Sequence, residues 1–221
     1  MQTNKDMILK AKYEDKIGSI ETNILNENGF LTMNLNGVFL KGSCPASLMI
    51  ENWGDLENKD QERFSLTDED GFLTNCRLTI DFPIKVMNNG CEAQANLKVD
   101  IGFLYEPGIP EVKLPVDQVW SEFSLSTSLF MVNTERRRYQ FDDAFLDLKK
   151  KLPKGCEFKC CWNCKFSEYS DEQDYFGSLK CYKNHGPKFF EISVSSDFFD
   201  IEDNFESVVQ EIYLCDAFIS R

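Results

Sequence analysis

Four stretches between Gly29 and Asn133 alternate apolar and polar positions with a period of two: FLTMNLNGVFL (30–40), FLTNCRLTIDFPIKV (72–86), AQANLKVDIGFLY (93–105) and SEFSLSTSLFMV (121–132). Side chains of an extended chain point alternately to opposite faces, so this pattern, rich in β-branched and aromatic residues, predicts strands with one buried face. Turn signals fall between them: Asn28-Gly29, Asp70-Gly71, Asn89-Gly90 and Pro107-Gly108-Ile109-Pro110. Long strands with polar alternate positions suit antiparallel pairing, as a sandwich or a strongly bent sheet.

The period changes at Phe141. In FDDAFLDLKKKL (141–152), Phe141, Ala144, Phe145 and Leu148 fall on one helical face. Asp142 and Asp143 open the helix and three lysines close it, both complementing the helix dipole, and Pro153 and Gly155 stop it. Further on, KFFEISV (188–194) reads as a short strand. Ser195 or Ser196 can cap a helix over about 197–205, with Phe198, Ile201 and Phe205 inward, and VVQEIYL (208–214) reads as a final strand that delivers Cys215. The expected class is α+β, with an antiparallel, β-rich, sandwich-like domain over 1–140 and a small mixed unit over 141–221. So small a unit has a thin core and gains from a metal staple.

Composition adds core material and a charge. The 221 residues are 42% hydrophobic and include 19 Phe, enough for a packed interior. A net charge of −13 repels phosphate backbones and attracts basic surfaces, so the partner class is a basic protein and not nucleic acid. The acidic segments 51–62, 68–70 and 197–206 are the candidate contacts, while Arg136-Arg137-Arg138 reads as a solvated, partly paired strand or turn. The first residues alternate lysine with acid and carry no signal or transit pattern. No run of about 18 apolar residues occurs, so no membrane helix is expected. The expected location is cytoplasmic, a reducing compartment, where nine cysteines point to metal or thiol chemistry before disulfides.

Six of those cysteines lie in the last 66 residues: Cys156, Cys160, Cys161, Cys164, Cys181 and Cys215. Cys161 and Cys164 form CWNC, a spacing that lets two thiolates on a tight turn face one ion. The preferred ligand set is Cys161, Cys164, Cys181 and Cys215, a tetrahedron of thiolates suited to zinc, although iron–sulfur ligation uses the same residue type. Cys160 could take the corner of Cys161. His185, four residues after Cys181, could replace a cysteine, but Asn184-His185-Gly186-Pro187 reads as an exposed turn. Cys44, Cys76 and Cys91 stand alone on strand-like segments.

FDDAFLDLKKKLP, CCWNCKFSEYS, FGSLKCY and LCDAF together resemble an uncharacterised bacterial family, a domain of unknown function. Its members have a similar helix ending in Leu-Pro, then CCxxCxFSxYS, FGxLxC and LCxxF, and the resemblance covers about residues 141–218. It implies Cys160, Cys161, Cys164, Cys181 and Cys215 as motif cysteines, which favours Cys215 over His185. After Ser170 a Pro-Tyr-Gly-like turn is expected, and this chain has Asp171-Glu172-Gln173-Asp174 instead. The resemblance implies no activity and finds no anchor in residues 1–140.

A single histidine in a turn provides no Ser-His-Asp or Cys-His pairing, and four cysteines would leave a metal no open position. These features weigh against an enzyme. The expected function is a non-catalytic cytosolic binding protein with a structural zinc, of which an immunity-type inhibitor of a basic toxin is one case. The alternative is a thiol-based redox sensor or enzyme using Cys160, a spare thiol whose pKa the neighbouring Lys159 could lower.

Overall fold

The computed structural model describes residues 7–27, 30–66, 71–103, 119–136, 141–169, 177, 179–191 and 204–221. Strands dominate, as the alternation predicted, and the class is α+β with β-rich character. The larger sheet contains Met7–Glu14 (β1), Ser19–Glu27 (β2), Phe30–Leu35 (β3), Val38–Gly42 (β4) and Met49–Ile50 (β5). After the two-residue strands Ser65–Leu66 (β6) and Leu73–Thr74 (β7), which pair with each other, come Cys76–Asn88 (β8), Cys91–Phe103 (β9), Val119–Ser126 (β10) and Met131–Asn133 (β11). Where a sandwich or bent sheet was expected, these strands join one sheet in the order β11-β10-β9-β8-β1-β2-β3-β4-β5. Cys156–Phe158 (β12) adds to β8 beside this path.

The first strand pair lies upstream of the region that the alternation marked. β1 pairs antiparallel with β2 from Met7↔Asn26 to Glu14↔Ser19, and its Leu9, Ala11 and Tyr13 are buried between outward Lys10 and Lys12. FLTMNLNGVFL is a hairpin and not one strand. Asn36 and Gly37 take φ of 56° and 97°, and the Asn34 side chain accepts from the Gly37 N–H at 2.7 Å. Two left-handed residues in succession match the twist of a two-residue hairpin, which Asn-Gly satisfies at low cost. Asn89-Gly90, with φ of 49° and 82°, turns β8 into β9 in the same way.

The chain divides into two compact units. One comprises Met1–Phe82, Leu97–Leu125 and Asn133–Tyr139, and the other Pro83–Asn96, Ser126–Val132 and Gln140–Arg221. In the first, Ile24, Leu31, Leu40, Ile80, Phe82, Leu97 and Leu125 form the centre of the core, all at most 1% exposed. Its opposite sheet face is charged. Lys12 pairs with Glu14 at 2.8 Å, and Arg77 pairs with Asp100 and lies 3.9 Å from Glu14. A groove there is lined by Lys10, Glu21, Asp81 and Lys98 among others. Charges of both signs, largely paired across strands, make this a solvated face.

In the second unit, the helix Phe141–Lys151 (α1) buries the four expected residues Phe141, Ala144, Phe145 and Leu148. Phe145 stacks on Trp162 at 5.0 Å and meets Phe158 edge-on at 5.0 Å, fixing the helix over the cysteine-rich segment. Gly155 (φ 83°) follows, and its carbonyl accepts from the Asn89 N–H at 2.8 Å. A Cβ at Gly155 would lie 2.2 Å from Asn89 Oδ1, so both the conformation and the close approach require glycine there.

Two expectations for this unit fail. Lys188–Glu191 of the KFFEISV segment lies within a 3-10 stretch, Lys183–Glu191, and not in a strand. VVQEIYL is a strand only in part: Ser207–Val209 (β15) ends at Val209, and the chain turns through Gln210–Tyr213. Together with Ser167–Tyr169 (β13) and Leu179–Cys181 (β14) it forms a three-stranded antiparallel sheet in the order β13-β14-β15. The helix expected over 197–205 lies outside the described residues except for Asn204 and Phe205.

Candidate metal centre

Three pieces of chain carry the cysteines. The first is a 3-10 turn, Cys161–Asn163, that begins from an extended Cys160 and ends at Cys164. Cys160 and Cys161 lie in overlapping surroundings, each within electrostatic reach of Cys164. Cys160 is fully buried towards Glu211, and its sulfur accepts from the backbone N–H groups of Asn163 and Trp162. Cys161 faces the other cysteines. Burial raises its thiol well above the ordinary value, and the charges of Cys164, Cys215, Cys160 and Cys181 raise it further.

The second piece is β14, the central strand of the small sheet. Cys181 is opposite Ser167 on one side and Ser207 on the other. Its thiol is raised by burial, held down in part by the Lys183 N–H on its sulfur, and raised again by Cys215. The third is the tail. The Cys161 N–H donates to Tyr213 O at 2.6 Å and the Lys165 N–H to Ile219 O at 2.8 Å, so the tail runs beside the knuckle with Cys215 between these two bonds. Arg221 completes this docking, with Nε 2.8 Å from Cys164 O and Nη2 donating to Ser167 O.

Polar groups lock the three pieces. Trp162 Nε1 donates to Asp142 Oδ1 at 2.6 Å, tying the knuckle to α1. Buried Asn163 donates to Phe158 O at 3.0 Å and to Ser220 Oγ at 3.1 Å, and accepts from Lys149 Nζ at 3.2 Å. Ser167 Oγ donates to Cys161 O and to Cys164 O. Glu211 is fully buried, accepting from Tyr169 OH at 2.9 Å and from the Gly177 N–H at 2.8 Å. Burial pushes its carboxyl up to about 7. Glu211 was not singled out among 37 scattered carboxylates, and no local pattern marks it.

Cys164, Cys181 and Cys215 thus all lie within electrostatic reach of Cys161, as Cys160 does, and Cys215 lies within reach of Cys181. Among the described residues, however, no three His, Cys, Asp or Glu side chains are gathered tightly enough to form a metal shell as they stand. His185 is engaged elsewhere, with Nε2 2.8 Å from Asn204 O and its ring 6.1 Å from that of Tyr182. Burial pushes the Cys160 thiol up to about 12, and the ammonium of Lys159, expected to lower it, pairs with Glu92. All nine cysteines are free thiols, and Cys91 is exposed.

A family model spans much of this architecture, matching residues 7–167. The chain belongs to a family of unknown function (DUF6304). The matched span differs from the one that the cysteine motifs suggested. It opens at β1, where no anchor had been found, takes in the whole large sheet, α1 and the knuckle, and ends at Ser167. Cys160, Cys161 and Cys164 lie within it, while Cys181 and Cys215 lie beyond. No curated protein and no solved structure matches the chain.

The candidate acidic contacts are described only in part. Glu51, Asp55, Glu57 and Glu62 are exposed on the 51–62 segment, where Glu51 is 3.7 Å from Lys41. Residues 68–70 and 197–203 lie outside the described residues, and Glu206 pairs with Lys183 at 3.0 Å. Of the arginine run, Arg136 lies 3.9 Å from the centre of the Trp120 ring and 3.5 Å from Glu122, a paired surface residue as expected. Among the described residues no helix is long and apolar enough to cross a membrane.

Proposed function

We propose that this protein is a non-catalytic binding protein whose cysteine-rich unit is stapled by one zinc ion on Cys161, Cys164, Cys181 and Cys215. The observation that carries the zinc reading is the convergence of the knuckle, the central strand of the small sheet and the tail, with Cys161 sensing all three other sulfurs. Sulfurs that raise one another's pKa repel as thiolates, and a divalent cation among them converts that repulsion into four bonds. A metal shell requires the cluster to close further than it does here. Four thiolates leave zinc no open position for a substrate, which fits a structural site. Iron on the same thiolates is the competing occupant, and its visible absorption would distinguish it from colourless zinc.

The binding role rests on charge and on the lack of a catalytic set. A chain of net charge −13 draws a basic protein by long-range attraction, and an immunity-type inhibitor that captures a basic toxin in the cytoplasm fits this balance. Burial of Cys160 and the pairing of Lys159 with Glu92 argue against a thiol-based redox function. The test asks whether a basic protein is encoded beside this chain and whether the two form a complex. Stable binding that weakens as salt rises supports the reading, and no binding at low salt contradicts it.

A further inference from the structure

The outward face of the large sheet changes character toward β5. Cross-strand partners share a face, and so do alternate residues of one strand. The register Ile8↔Leu25↔Thr32↔Lys41↔Met49 therefore forms one row across β1 to β5, opposite the buried Leu9, Ile24, Met33 and Leu40. Phe30 lies two residues from Thr32 and Phe39 two from Lys41, so both stand on this face. Phe30, Phe39 and Met49 are 46%, 50% and 44% exposed. Large apolar side chains grouped on a solvated sheet face mark an interaction site, which single exposed ones do not.

Acid borders this patch. Past β5 the chain enters 51–62, where Glu51, Asp55 and Glu57 are exposed. Its start is fastened beside Phe39. The Glu51 N–H donates to Phe39 O at 2.8 Å, and Asn52 Oδ1 accepts from the Phe39 N–H at 3.0 Å. The row's lysine, Lys41, has its ammonium 4.9 Å from the centre of the Phe30 ring and 3.7 Å from Glu51, so its charge is met within the patch. On the β1 flank, Lys10 is opposite Asp81 in the register. Met49 bridges to Phe72 on its other side, so the face of the sheet is what stands open here, not a strand edge.

Resting on the basic-partner reading above, we propose that Phe30, Phe39 and Met49 form the docking surface for that partner, an apolar anchor rimmed by Glu51, Asp55 and Glu57. The occupant it fits is a protein surface that presents an aliphatic or aromatic side chain flanked by lysine or arginine. The apolar side chain loses its water against Phe39 and Met49 while the cations meet the acidic rim, the division of core and rim found in specific interfaces. A second copy of this chain could cover the anchor only by setting like-charged rims against each other.

The test selects peptides from a random phage-displayed library on the immobilised full chain and measures their affinity for it in solution. Enriched peptides should combine lysine or arginine with a large apolar residue. They should bind more weakly as salt rises and lose at least about tenfold in affinity to a Phe39→Ser, Met49→Ser variant. Both side chains are exposed, so that variant should keep the parent's thermal midpoint. A second variant, Glu51→Gln, Asp55→Asn, Glu57→Gln, should lose most of the salt dependence. No enrichment, or peptides that bind the parent and both variants equally, would overturn the docking surface. Purely cationic peptides indifferent to the Phe39→Ser, Met49→Ser change would remove the anchor and leave the basic-partner reading standing. Uncharged peptides held through Phe39 and Met49 at any salt would defeat the basic-partner reading, and this occupant with it. Dimerisation in sedimentation that the Phe39→Ser, Met49→Ser variant abolishes would assign the patch to a second copy instead.

Discussion

Glu211 shows how one side chain can set the pH response of the second unit. Its carboxyl rises from an ordinary 4.5 to about 7 because burial penalises the charge, although the Gly177 N–H and Tyr169 OH partly offset it. A raised folded-state pKa favours the protonated form in the fold. Stability is therefore fully present below pH 4.5 and declines as pH rises through 7, by about 3 kcal/mol once both states are ionised. The resistance of the second unit to denaturant should fall between about pH 4 and 7.5 and level off above that, and Glu211→Gln should flatten the dependence. An unchanged slope in the variant would show that Glu211 is not the titrating group. Nothing local in VVQEIYL foretold this burial: periodicity cannot register that Tyr169 and Gly177, 42 and 34 residues away, supply the hydrogen bonds.

Among the elements, α1 was the most legible. Its apolar positions, acidic start and basic end are all local, and they reappear as the buried Phe141, Ala144, Phe145 and Leu148. Because Phe145 is fully buried between Phe158 and Trp162, Phe145→Ala should cost about 3–5 kcal/mol in denaturant unfolding. A loss below about 1 kcal/mol would mean that the helix does not depend on that contact. β1 was readable but missed: Leu9, Ala11 and Tyr13 alternate with lysines, yet Ala11 is a weak strand signal and the charged Lys5-Asp6 stand just ahead. The β3–β4 hairpin carried an Asn-Gly signal inside what looked like one strand. Gly155→Ala tests a different joint, pressing a Cβ on Asn89 at a positive φ, and should destabilise the second unit by about 1–3 kcal/mol. A neutral result would mean that Asn89 moves aside freely.

For the whole molecule, charge and thiols make separate demands. A net charge of −13 predicts that association with a basic partner slows markedly between low and physiological salt, mainly through the on-rate, in stopped-flow or surface measurements. A salt-independent on-rate would remove electrostatic steering from the account. The family span of 7–167 includes the large sheet, α1 and the cysteine turn. The choice of Cys161 over Cys160 was not decidable from adjacent positions in the sequence. Both thiols lie within reach of Cys164, while Cys160 also adjoins Glu211 and Cys161 also adjoins Cys181 and Cys215, proximities between residues far apart in the chain that adjacent positions cannot encode.

The most direct measurement is the metal content of the full chain purified without chelator, by elemental analysis, beside a Cys161→Ser, Cys164→Ser variant. A structural site holds its ion through purification, so the account predicts about one zinc per chain and a near-complete loss in the variant. Less than about half an equivalent of zinc or iron in the native chain, or full retention in the variant, would contradict it.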